Sequence, residues 1–508
     1  MKVLTAVQMR EVDLRTIAMG IPGLVLMENA GQRVVELLAR EFAPLAGQRI
    51  VILCGKGNNG GDGMVVARQL FTRFHPLALH VVLAAAPEEL KGDAAANYRM
   101  LAVCGCPVER TIPAEARLAT VVVDALLGTG ISGPATGAML EAIREINGGF
   151  PLAKVVAVDI PSGMPSDSGE PRGEQARADY TVTFTAPKPG QVLSPNCNAV
   201  GKLTVEAIGS PPELYDADES IRLSLVEPEL FRHLLAPRPR DSNKGGFGHV
   251  LVVAGSHGKT GAAAMSGMAA LRSGAGLVTV ASAESAIDVI AGHAAELMTV
   301  PLDADNGDKL AGIAEKKDVV AIGPGLGTHP ETVAMVRRAV ADFQQPMVVD
   351  ADALNALAGT EWSGGGRLRV FTPHPGEMAR LTGKKIAEIQ TDRVGAARGL
   401  ATARQVCLVL KGERTLIAFP DGRVWINPTG TPAMATGGTG DILTGLVAGF
   451  LGQFPKEPDT AIAAAVYLHG LAGQLGAAAL TEQCLVATDL LRYLPAAMEE
   501  CAHLPHRL

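Results

Sequence analysis

In the first half of the chain, short apolar runs alternate with longer stretches whose apolar residues recur at helical spacing. Helices are predicted at residues 6–19, 24–42, 64–74 and 137–146. Strands are predicted at residues 50–54, 79–85, 120–125, 155–160, 180–185 and 203–207. The first four of these strands alternate with helical stretches, which predicts a doubly wound parallel sheet.

The second half repeats this pattern and ends in a long, mostly helical stretch. Its predicted strands are residues 250–254, 277–281, 319–322, 347–349, 406–410, 415–418 and 423–426, and helices are expected across 441–498. Between the halves, prolines and a polar run break the periodicity at residues 218–245. We therefore predict two α/β domains, at residues 1–218 and 226–500.

Composition narrows the functional classes. With 47% hydrophobic residues, 58 glycines and only 4% aromatic residues, the chain suits α/β layers joined by tight loops. A net charge of −7 suggests no polyanion-binding surface, so we expect no nucleic-acid partner. Seven cysteines without paired spacing indicate reduced thiols and a cytoplasmic protein. We find no secretory signal and no run of 18 uncharged apolar residues, so no membrane association is expected.

The most informative motif is the glycine-rich sequence Gly437-Gly438-Thr439-Gly440, which comes directly before Asp441 and a predicted helix. Unhindered backbone N–H groups at a helix N-terminus favour phosphate. Asp441 would lie beside that phosphate, where a carboxylate can act as a base for a hydroxyl that meets it. The alternative is a helix with Asp in its first turn for stability alone. Three glycines in four residues favour function.

A second glycine-rich motif follows the first predicted strand. Residues 55–60 match GxGxxG between a strand and a helix, which is the context of a dinucleotide site. A nicotinamide dehydrogenase would usually carry an acid at the end of the second strand, but residues 81–86 there are Val-Val-Leu-Ala-Ala-Ala. We therefore expect a loop built for phosphate or close backbone approach, without a standard redox cofactor.

Two more strands of the first half end in carboxylates, Asp124 and Asp159. Because the carboxyl ends of adjacent parallel strands face one crevice, these groups should lie close together. Asn59, Asp124 and Ser162 could supply hard oxygen ligands to a cation at that edge. For either Asp the alternative is that it merely caps a loop or helix.

The second half carries comparable strand-end loops. Gly258-Lys259-Thr260 resembles a P-loop, but Val253 stands where that motif needs glycine, so we predict a substrate-side loop instead. His374 lies between two prolines that fix its backbone, although an ordinary surface histidine is the alternative. Residues 411–415 lie between two predicted strands and offer charge for a nucleotide.

Together these motifs resemble one family, the bifunctional NAD(P)H-hydrate repair enzymes, over essentially the whole chain and in the family's domain order. The family pairs an epimerase of hydrated nicotinamide cofactors, NAD(P)HX, with an ADP-dependent NAD(P)HX dehydratase. The resemblance implies an N-terminal Rossmann-like doubly wound sheet and a C-terminal ribokinase-like α/β domain. The motifs that carry it are residues 58–63, 128–130, 159–163, 323–327, 372–377, 427–430 and 437–441.

The resemblance also implies roles for individual residues. Those matching substrate positions are Asn58, Asn59, Gly60, Gly61, Asp62, Gly128, Thr129, Gly130, Ile131, Ser132, Gly133, Pro134 and Asp159 in the epimerase, and Ala262, Gly325, His374 and Asp441 in the dehydratase. Those matching ADP positions are Lys411, Gly412, Glu413, Arg414, Thr415 and Gly440. A potassium ion would be held by Asn59, Asp124 and Ser162, and Mg²⁺ would accompany ADP.

NAD(P)HX carries an added hydroxyl at C6 of the nicotinamide ring. Our hypothesis is that Asp159 assists inversion at C6 in the epimerase. In the dehydratase, Asp441 would take the hydroxyl proton so that the oxygen attacks the terminal phosphate of ADP. Two alternatives remain: a small-molecule kinase of the hydroxymethylpyrimidine or thiazole type with an N-terminal nucleotide-binding domain, and a non-catalytic nucleotide sensor. We further expect a homo-oligomer.

Overall fold

The computed structural model describes residues 1–131, 133–302 and 307–503. These form two compact units, Met1–Ile221 and Arg222–Leu508. Each is an α/β unit built around one sheet, which confirms the predicted fold class.

Unit 1 contains a six-stranded sheet, all parallel, with strand order β2-β1-β3-β4-β5-β6 in the described part of the chain. Its strands are β1 (Arg49–Cys54), β2 (Ala78–Leu83), β3 (Val121–Ala125), β4 (Lys154–Val158), β5 (Tyr180–Phe184) and β6 (Lys202–Glu206). Its helices are α1 (Ala6–Ala18), α2 (Gly23–Glu41), α3 (Asn58–Gln69), α4 (Gly92–Val103), α5 (Gly137–Gly148) and α6 (Pro189–Val192). Strand order reverses between β1 and β3, which places a crevice at their carboxyl ends.

The third helix begins earlier than its sequence suggests. Residues 64–74 were predicted as helix, but α3 starts at Asn58, so the glycine-rich motif forms its first turns. Glycines disfavour helices in isolation, yet here close packing requires them. A Cβ on Gly60 would lie 1.8 Å from the carbonyl oxygen of Gly55, and one on Gly61 would lie 2.6 Å from Met27 Sδ. Tertiary contact therefore overrides local propensity at this position.

Unit 2 contains a ten-stranded sheet in the described residues, ordered β10-β9-β8-β11-β12-β13-β14-β15-β16-β7, with β15 antiparallel to both neighbours. Its strands are β7 (Leu223–Leu225), β8 (His249–Val253), β9 (Leu277–Ser282), β10 (Met298–Pro301), β11 (Val319–Ile322), β12 (Met347–Val349), β13 (Arg369–Phe371), β14 (Cys407–Leu410), β15 (Leu416–Ala418) and β16 (Val424–Ile426). Its helices are α7 (Pro228–Phe231), α8 (Thr260–Arg272), α9 (Glu284–Ala291), α10 (Gly307–Ala314), α11 (Pro330–Asp342), α12 (Ala351–Leu357), α13 (Pro375–Thr382), α14 (Ile386–Thr391), α15 (Arg393–Arg404), α16 (Thr439–Gln453), α17 (Pro458–Leu480) and α18 (Ala487–His503).

Three short strands, β7, β10 and β13, were not predicted. β13 was missed because it begins with Arg369, a residue type that argues against a buried strand. Arg369 is nevertheless 1% exposed, and its guanidinium donates hydrogen bonds to the carbonyl oxygens of Val340, Phe343 and Gln345. The end of α11 thus satisfies a buried cation without any carboxylate.

Helix α17 is long and apolar enough to cross a bilayer by length and composition alone. Within unit 2, however, 67% of its most apolar window is buried, and it packs between α16 and α18. The apolar residues of α17 therefore form part of the hydrophobic core of unit 2.

Candidate active sites

In unit 1 the carboxyl ends of β1, β3 and β4 surround a cavity of about 650 Å³. The predicted substrate residues that line it are Asn58, Asn59, Asp62, Gly128, Thr129, Gly130, Ile131 and Asp159. Gly60 and Gly61 are buried in the packing of α3 instead, and Gly133 and Pro134 are not among the lining residues of the described chain. Ser132 lies outside the described residues.

The predicted cation ligands meet at the same edge. Asp124 is fully buried, and its carboxylate accepts hydrogen bonds from Ser162 Oγ at 2.5 Å and Ser162 N at 2.8 Å. Burial raises the pKa of Asp124, and the hydrogen bonds from Ser162 and Leu126 oppose that rise. Asn59 packs against Gly128, and both polar atoms of its side chain are buried without a partner.

A monovalent cation fits this donor set. Ser162 Oγ lies 2.5 Å from the buried carboxylate of Asp124, and both groups, like the unpartnered Asn59 Oδ1, are hard oxygen donors at the carboxyl edge of the sheet. A buried amide without a hydrogen bond is costly, and a coordinated ion would remove that cost.

Asp159 is held by a buried lysine. Its Oδ1 lies 2.5 Å from Lys188 Nζ and 3.0 Å from Thr183 Oγ1, and Gln191 Nε2 donates to its backbone oxygen at 2.5 Å. The side chains of Asp159 and Lys188 are 16% and 2% exposed. Asp159 also has a positive φ of 60°, an unfavourable conformation for a residue with a side chain, which these contacts stabilise.

Two residues of this cavity, Lys188 and Asp13, were missed by sequence reasoning. A signal existed for Lys188, because Pro187 and Pro189 fix its backbone in the same way that prolines flank His374. Asp13 lies within α1, where nothing in the local pattern separates it from an ordinary surface carboxylate.

In unit 2, Asp441 lies in the first turn of α16, as predicted. Gly438 is the N-cap of this helix and has a φ of 96°, which favours glycine, and Ser266 Oγ donates to the backbone oxygen of Asp441 at 3.0 Å. Burial raises the pKa of Asp441 to about 6, and the nearby charge of Asp350 adds to the rise while that of Lys411 opposes it. A carboxylate with such a pKa suits proton transfer near neutrality.

Lys411 lies beside the glycine loop, within a buried network. Its ammonium is 2.8 Å from Asp350 Oδ1 and 3.7 Å from Glu377 Oε2, and Thr444 Oγ1 donates to Asp350 Oδ2 at 2.8 Å. A Cβ on Gly440 would be 3.3 Å from Lys411 Nζ. Burial alone would lower the pKa of Lys411, but the charges of Asp350 and Glu377 raise it, so a fixed positive charge faces the loop.

His374 caps α13. Its Nδ1 accepts hydrogen bonds from the backbone N–H groups of Gly376 at 3.0 Å and Glu377 at 3.4 Å, and Glu377 Oε2 accepts from His374 N at 2.8 Å. The side chain is 51% exposed. Because Nδ1 is the acceptor, Nε2 carries the proton and is available as a donor to a ligand.

The remaining predicted substrate residues of unit 2 touch one another. A Cβ on Gly325 would lie 3.1 Å from those of Ala262 and Lys259. Lys259 Nζ is 3.4 Å from Asp352 Oδ2, which also accepts from Gly327 N at 2.8 Å. The charge of Asp352 contributes to the raised pKa of Asp441, so these loops border the same site.

Residues 411–415 form the turn between β14 and β15. Gly412 and Arg414 have positive φ values of 138° and 55°, and Thr415 Oγ1 donates to Gly412 O at 3.0 Å. Arg393 donates to the carbonyl oxygen of Glu413. The backbone of this turn, which begins with Lys411, is therefore fixed.

Sequence reasoning missed three members of the unit 2 network. They are Asp350, Glu377 and Thr444, none of which the sequence analysis gave a role. The signal for Asp350 is a carboxylate directly after a buried strand, at the edge where the other loops meet.

The chain is similar to known proteins over nearly its whole length. A family model described as NAD(P)H-hydrate dehydratase matches residues 250–496, and one described as YjeF-related protein N-terminus matches residues 23–190. The bifunctional NAD(P)H-hydrate repair enzyme Nnr of Moorella thermoacetica is 43% identical, over 97% of this chain and 96% of its own. Its namesake in Escherichia coli is 36% identical, over 94% and 90%.

Solved structures match unit 2. The ADP/ATP-dependent NAD(P)H-hydrate dehydratase of Bacillus subtilis, co-crystallised with ATP and Mg²⁺, is 35% identical with a TM-score of 0.51, over 55% of this chain and 98% of its own. A ribokinase-like superfamily protein of Enterococcus faecalis is 32% identical with a TM-score of 0.50, over 56% and 97%. These matches confirm the ribokinase-like fold of the second half.

The full-length relatives do not favour the alternative of a small-molecule kinase. Both halves match family models in the predicted order. Of the two carboxylates predicted to be catalytic, Asp159 lies in unit 1 and Asp441 in unit 2. The chain belongs to the family of bifunctional NAD(P)H-hydrate repair enzymes.

Proposed function

We propose that this enzyme repairs hydrated nicotinamide cofactors in two steps. Unit 1 interconverts (R)- and (S)-NAD(P)HX, and unit 2 dehydrates (6S)-NAD(P)HX to NAD(P)H while ADP is converted to AMP and phosphate. The observation that carries the proposal is Asp441 in the first turn of α16, behind a glycine loop and beside the ammonium of Lys411, in a chain similar throughout to named repair enzymes.

For epimerisation, the cavity of unit 1 holds the nicotinamide ring near Asp159. Lys188 orients this carboxylate through an ion pair at 2.5 Å, so that it can take a proton from the C6 substituent. K⁺ would be held by Asn59, Asp124 and Ser162. When bound, it supplies charge that balances the buried Asp124 and fixes the loops that follow β3 and β4.

For dehydration, hydroxide is a poor leaving group, and phosphorylation solves this problem. Asp441 accepts the proton of the C6 hydroxyl while the oxygen attacks the terminal phosphorus of ADP, and AMP leaves. Phosphate then departs with the C6–O electron pair, the ring nitrogen supplies electrons to C6, and loss of a proton from C5 completes NAD(P)H.

The negative charge that develops on the phosphate faces Lys411 and the backbone N–H groups at the start of α16. Mg²⁺ would neutralise part of that charge. Among the described residues, no group of three or more His, Cys, Asp or Glu is placed to hold a metal ion.

Absorbance at 340 nm tests the proposal directly. The enzyme is mixed with acid-generated NADHX containing both epimers, with Mg²⁺ and K⁺, and ADP or ATP is added. We expect NADH to be recovered from the whole mixture, with AMP and phosphate formed in step when ADP is used. Recovery of only one epimer's share in the fast phase would contradict the epimerase half, and no recovery with either nucleotide would overturn the proposal.

We also propose that the enzyme is cytoplasmic and forms a homo-oligomer. The seven cysteines without paired spacing in the sequence support the first. Support for the second is the exposed apolar side of α1, where Val7, Leu14 and Ile17 are 73%, 61% and 43% exposed. Light scattering coupled to size-exclusion chromatography tests the oligomer, and a monomer at micromolar concentration would contradict it.

A further inference from the structure

The cavity of unit 1 contains a second carboxyl group with an unusual environment, that of Asp13. Asp13 lies on α1 and lines the cavity together with Asp159, Asp62 and Lys188. Its Oδ1 is buried and has no hydrogen-bond partner among the described residues. A buried acceptor without a partner is costly, and the open side of this one is the cavity.

The charges around Asp13 explain how it differs from Asp159. Lys188, the cation that lowers the pKa of Asp13, is hydrogen-bonded to Asp159 and Thr183. The other charged groups lining the cavity are Arg10, Lys56, Glu89 and Asp93, and Lys56 pairs with Glu89 at 2.9 Å.

Within the described chain, no ion pair joins Asp13 to a cation. Burial raises the pKa of Asp13 to about 6, with Asp159 adding to the rise and Lys188 opposing it. Asp62 lies deeper, and burial raises its pKa well above the usual range, with Asp159 and Asp13 adding to the rise. Asp13 therefore gains and loses a proton near neutral pH, whereas Asp159 forms an ion pair with Lys188 at 2.5 Å.

We propose that Asp13 is a second catalytic residue of the epimerase, donating a proton to the C6 hydroxyl oxygen of NAD(P)HX while Asp159 acts on the opposite face. This inference rests on the proposed epimerase function. Inversion at one carbon requires that water leave from one face and enter from the other, so the site needs both a proton donor and a proton acceptor, and the cavity presents two carboxyl groups that can fill these roles.

One inversion consists of the loss of one water from C6 and the addition of another. The Asp13 proton moves to the hydroxyl oxygen, the C6–O bond breaks, water leaves, and the ring-nitrogen lone pair forms a C=N double bond to C6. A second water adds to C6 from the opposite face, the C=N electrons return to nitrogen, and the proton of that water passes to Asp159. Asp159 releases this proton to solvent and Asp13 regains one, which restores the starting state.

The test follows interconversion of purified epimers by chromatography, without ADP, in wild type, Asp13→Asn and the control Glu11→Gln. Glu11 is an exposed carboxylate on the same helix. We expect Asp13→Asn to lower kcat by about 100-fold or more with little change in KM, because the amide cannot donate the proton. Glu11→Gln should match wild type, and thermal unfolding of each variant, compared with that of wild type, reports whether unit 1 is folded.

Two further measurements can be made on the wild type. The epimerase kcat should fall as pH rises through about 6, because the donor form of Asp13 is lost, and Asp13→Asn should lack this dependence. In H₂¹⁸O, each inversion should place one labelled oxygen at C6.

Several results would overturn the inference while leaving the proposed function intact. They are wild-type kcat in Asp13→Asn, a flat wild-type profile from pH 5 to 8, or inversion without label. If Asp13→Asn does not fold, the profile and the label decide the question. A wild type that does not interconvert the epimers at all would instead contradict the proposed function.

Discussion

One carboxylate oxygen of Asp350 accepts a hydrogen bond from Lys411 Nζ at 2.8 Å, and the other accepts one from Thr444 Oγ1, also at 2.8 Å. One side chain at the end of β12 thus connects the cation beside the glycine loop with the helix that carries Asp441. It also adds negative charge near Asp441, whose pKa is about 6. Asp350 therefore influences both the position of Lys411 and the pKa of Asp441.

Replacing Asp350 should shift the pH dependence of dehydration. Asp441 acts as a base, so kcat should rise as it ionises, around pH 6 in wild type. Asp350→Asn removes a charge that raises this pKa and leaves Lys411 freer to interact with Asp441, so the midpoint should move to lower pH. The exposed Asp308→Asn serves as control. A midpoint that stays fixed or moves upward in Asp350→Asn would show that Asp350 does not set the pKa of Asp441.

Asp441→Asn should separate the two activities. Loss of the base is expected to lower dehydration by about 100-fold to 10,000-fold. Interconversion of the epimers, measured without ADP, should be unchanged because unit 1 is intact. Dehydration at near wild-type rate would remove Asp441 from its assigned role and would favour a site that only binds nucleotide.

Lys188→Met should destabilise unit 1, because it leaves the largely buried Asp159 without its partner. A loss of about 3–5 kcal/mol in the free energy of unfolding is expected for a broken buried pair. Asp159→Asn combined with Lys188→Met should recover part of that loss, since no unpaired charge remains. Denaturant unfolding of the two single variants and the double variant measures the coupling between Lys188 and Asp159. Strictly additive effects would argue against a strong pair.

Gly60→Ala should disrupt the start of α3. The added Cβ would lie 1.8 Å from the Gly55 carbonyl oxygen, so the backbone must move, and a loss of about 3 kcal/mol or more is expected. Gly57→Ala is the matched control, since a Cβ there meets nothing within 4 Å and its φ is −92°. Thermal unfolding distinguishes the two, and equal stability of both variants would contradict the packing described above.

K⁺ should stabilise unit 1 against heat. A ligand that binds only the folded state raises stability by RT ln(1 + [L]/Kd), so Tm should increase with K⁺ concentration relative to a choline control. Asn59→Ala should weaken this increase, because it removes the unpartnered amide oxygen of the site. A wild-type Tm that responds equally to both salts would argue against the cation site.

Much of the local structure could be predicted from the chain alone. Strands β1, β3, β4 and β11 each contain three or more consecutive apolar residues, and β11 was placed at its observed bounds. Arg369 shows where this approach fails. A charged residue in a fully buried strand contradicts the hydrophobic pattern, and only the carbonyl groups that surround its guanidinium explain it.

The sequence by itself determined the fold class, the two halves and the strand-end loops, because hydrophobic periodicity and glycine placement act locally. It placed Asp441 in the first turn of a helix for the same reason. The tertiary structure decided which charges meet: Lys188 with Asp159, Lys411 with Asp350, and Asp13 with the cavity. These pairs join residues far apart in the chain, and burial, which sets their pKa values, exists only once the chain has folded.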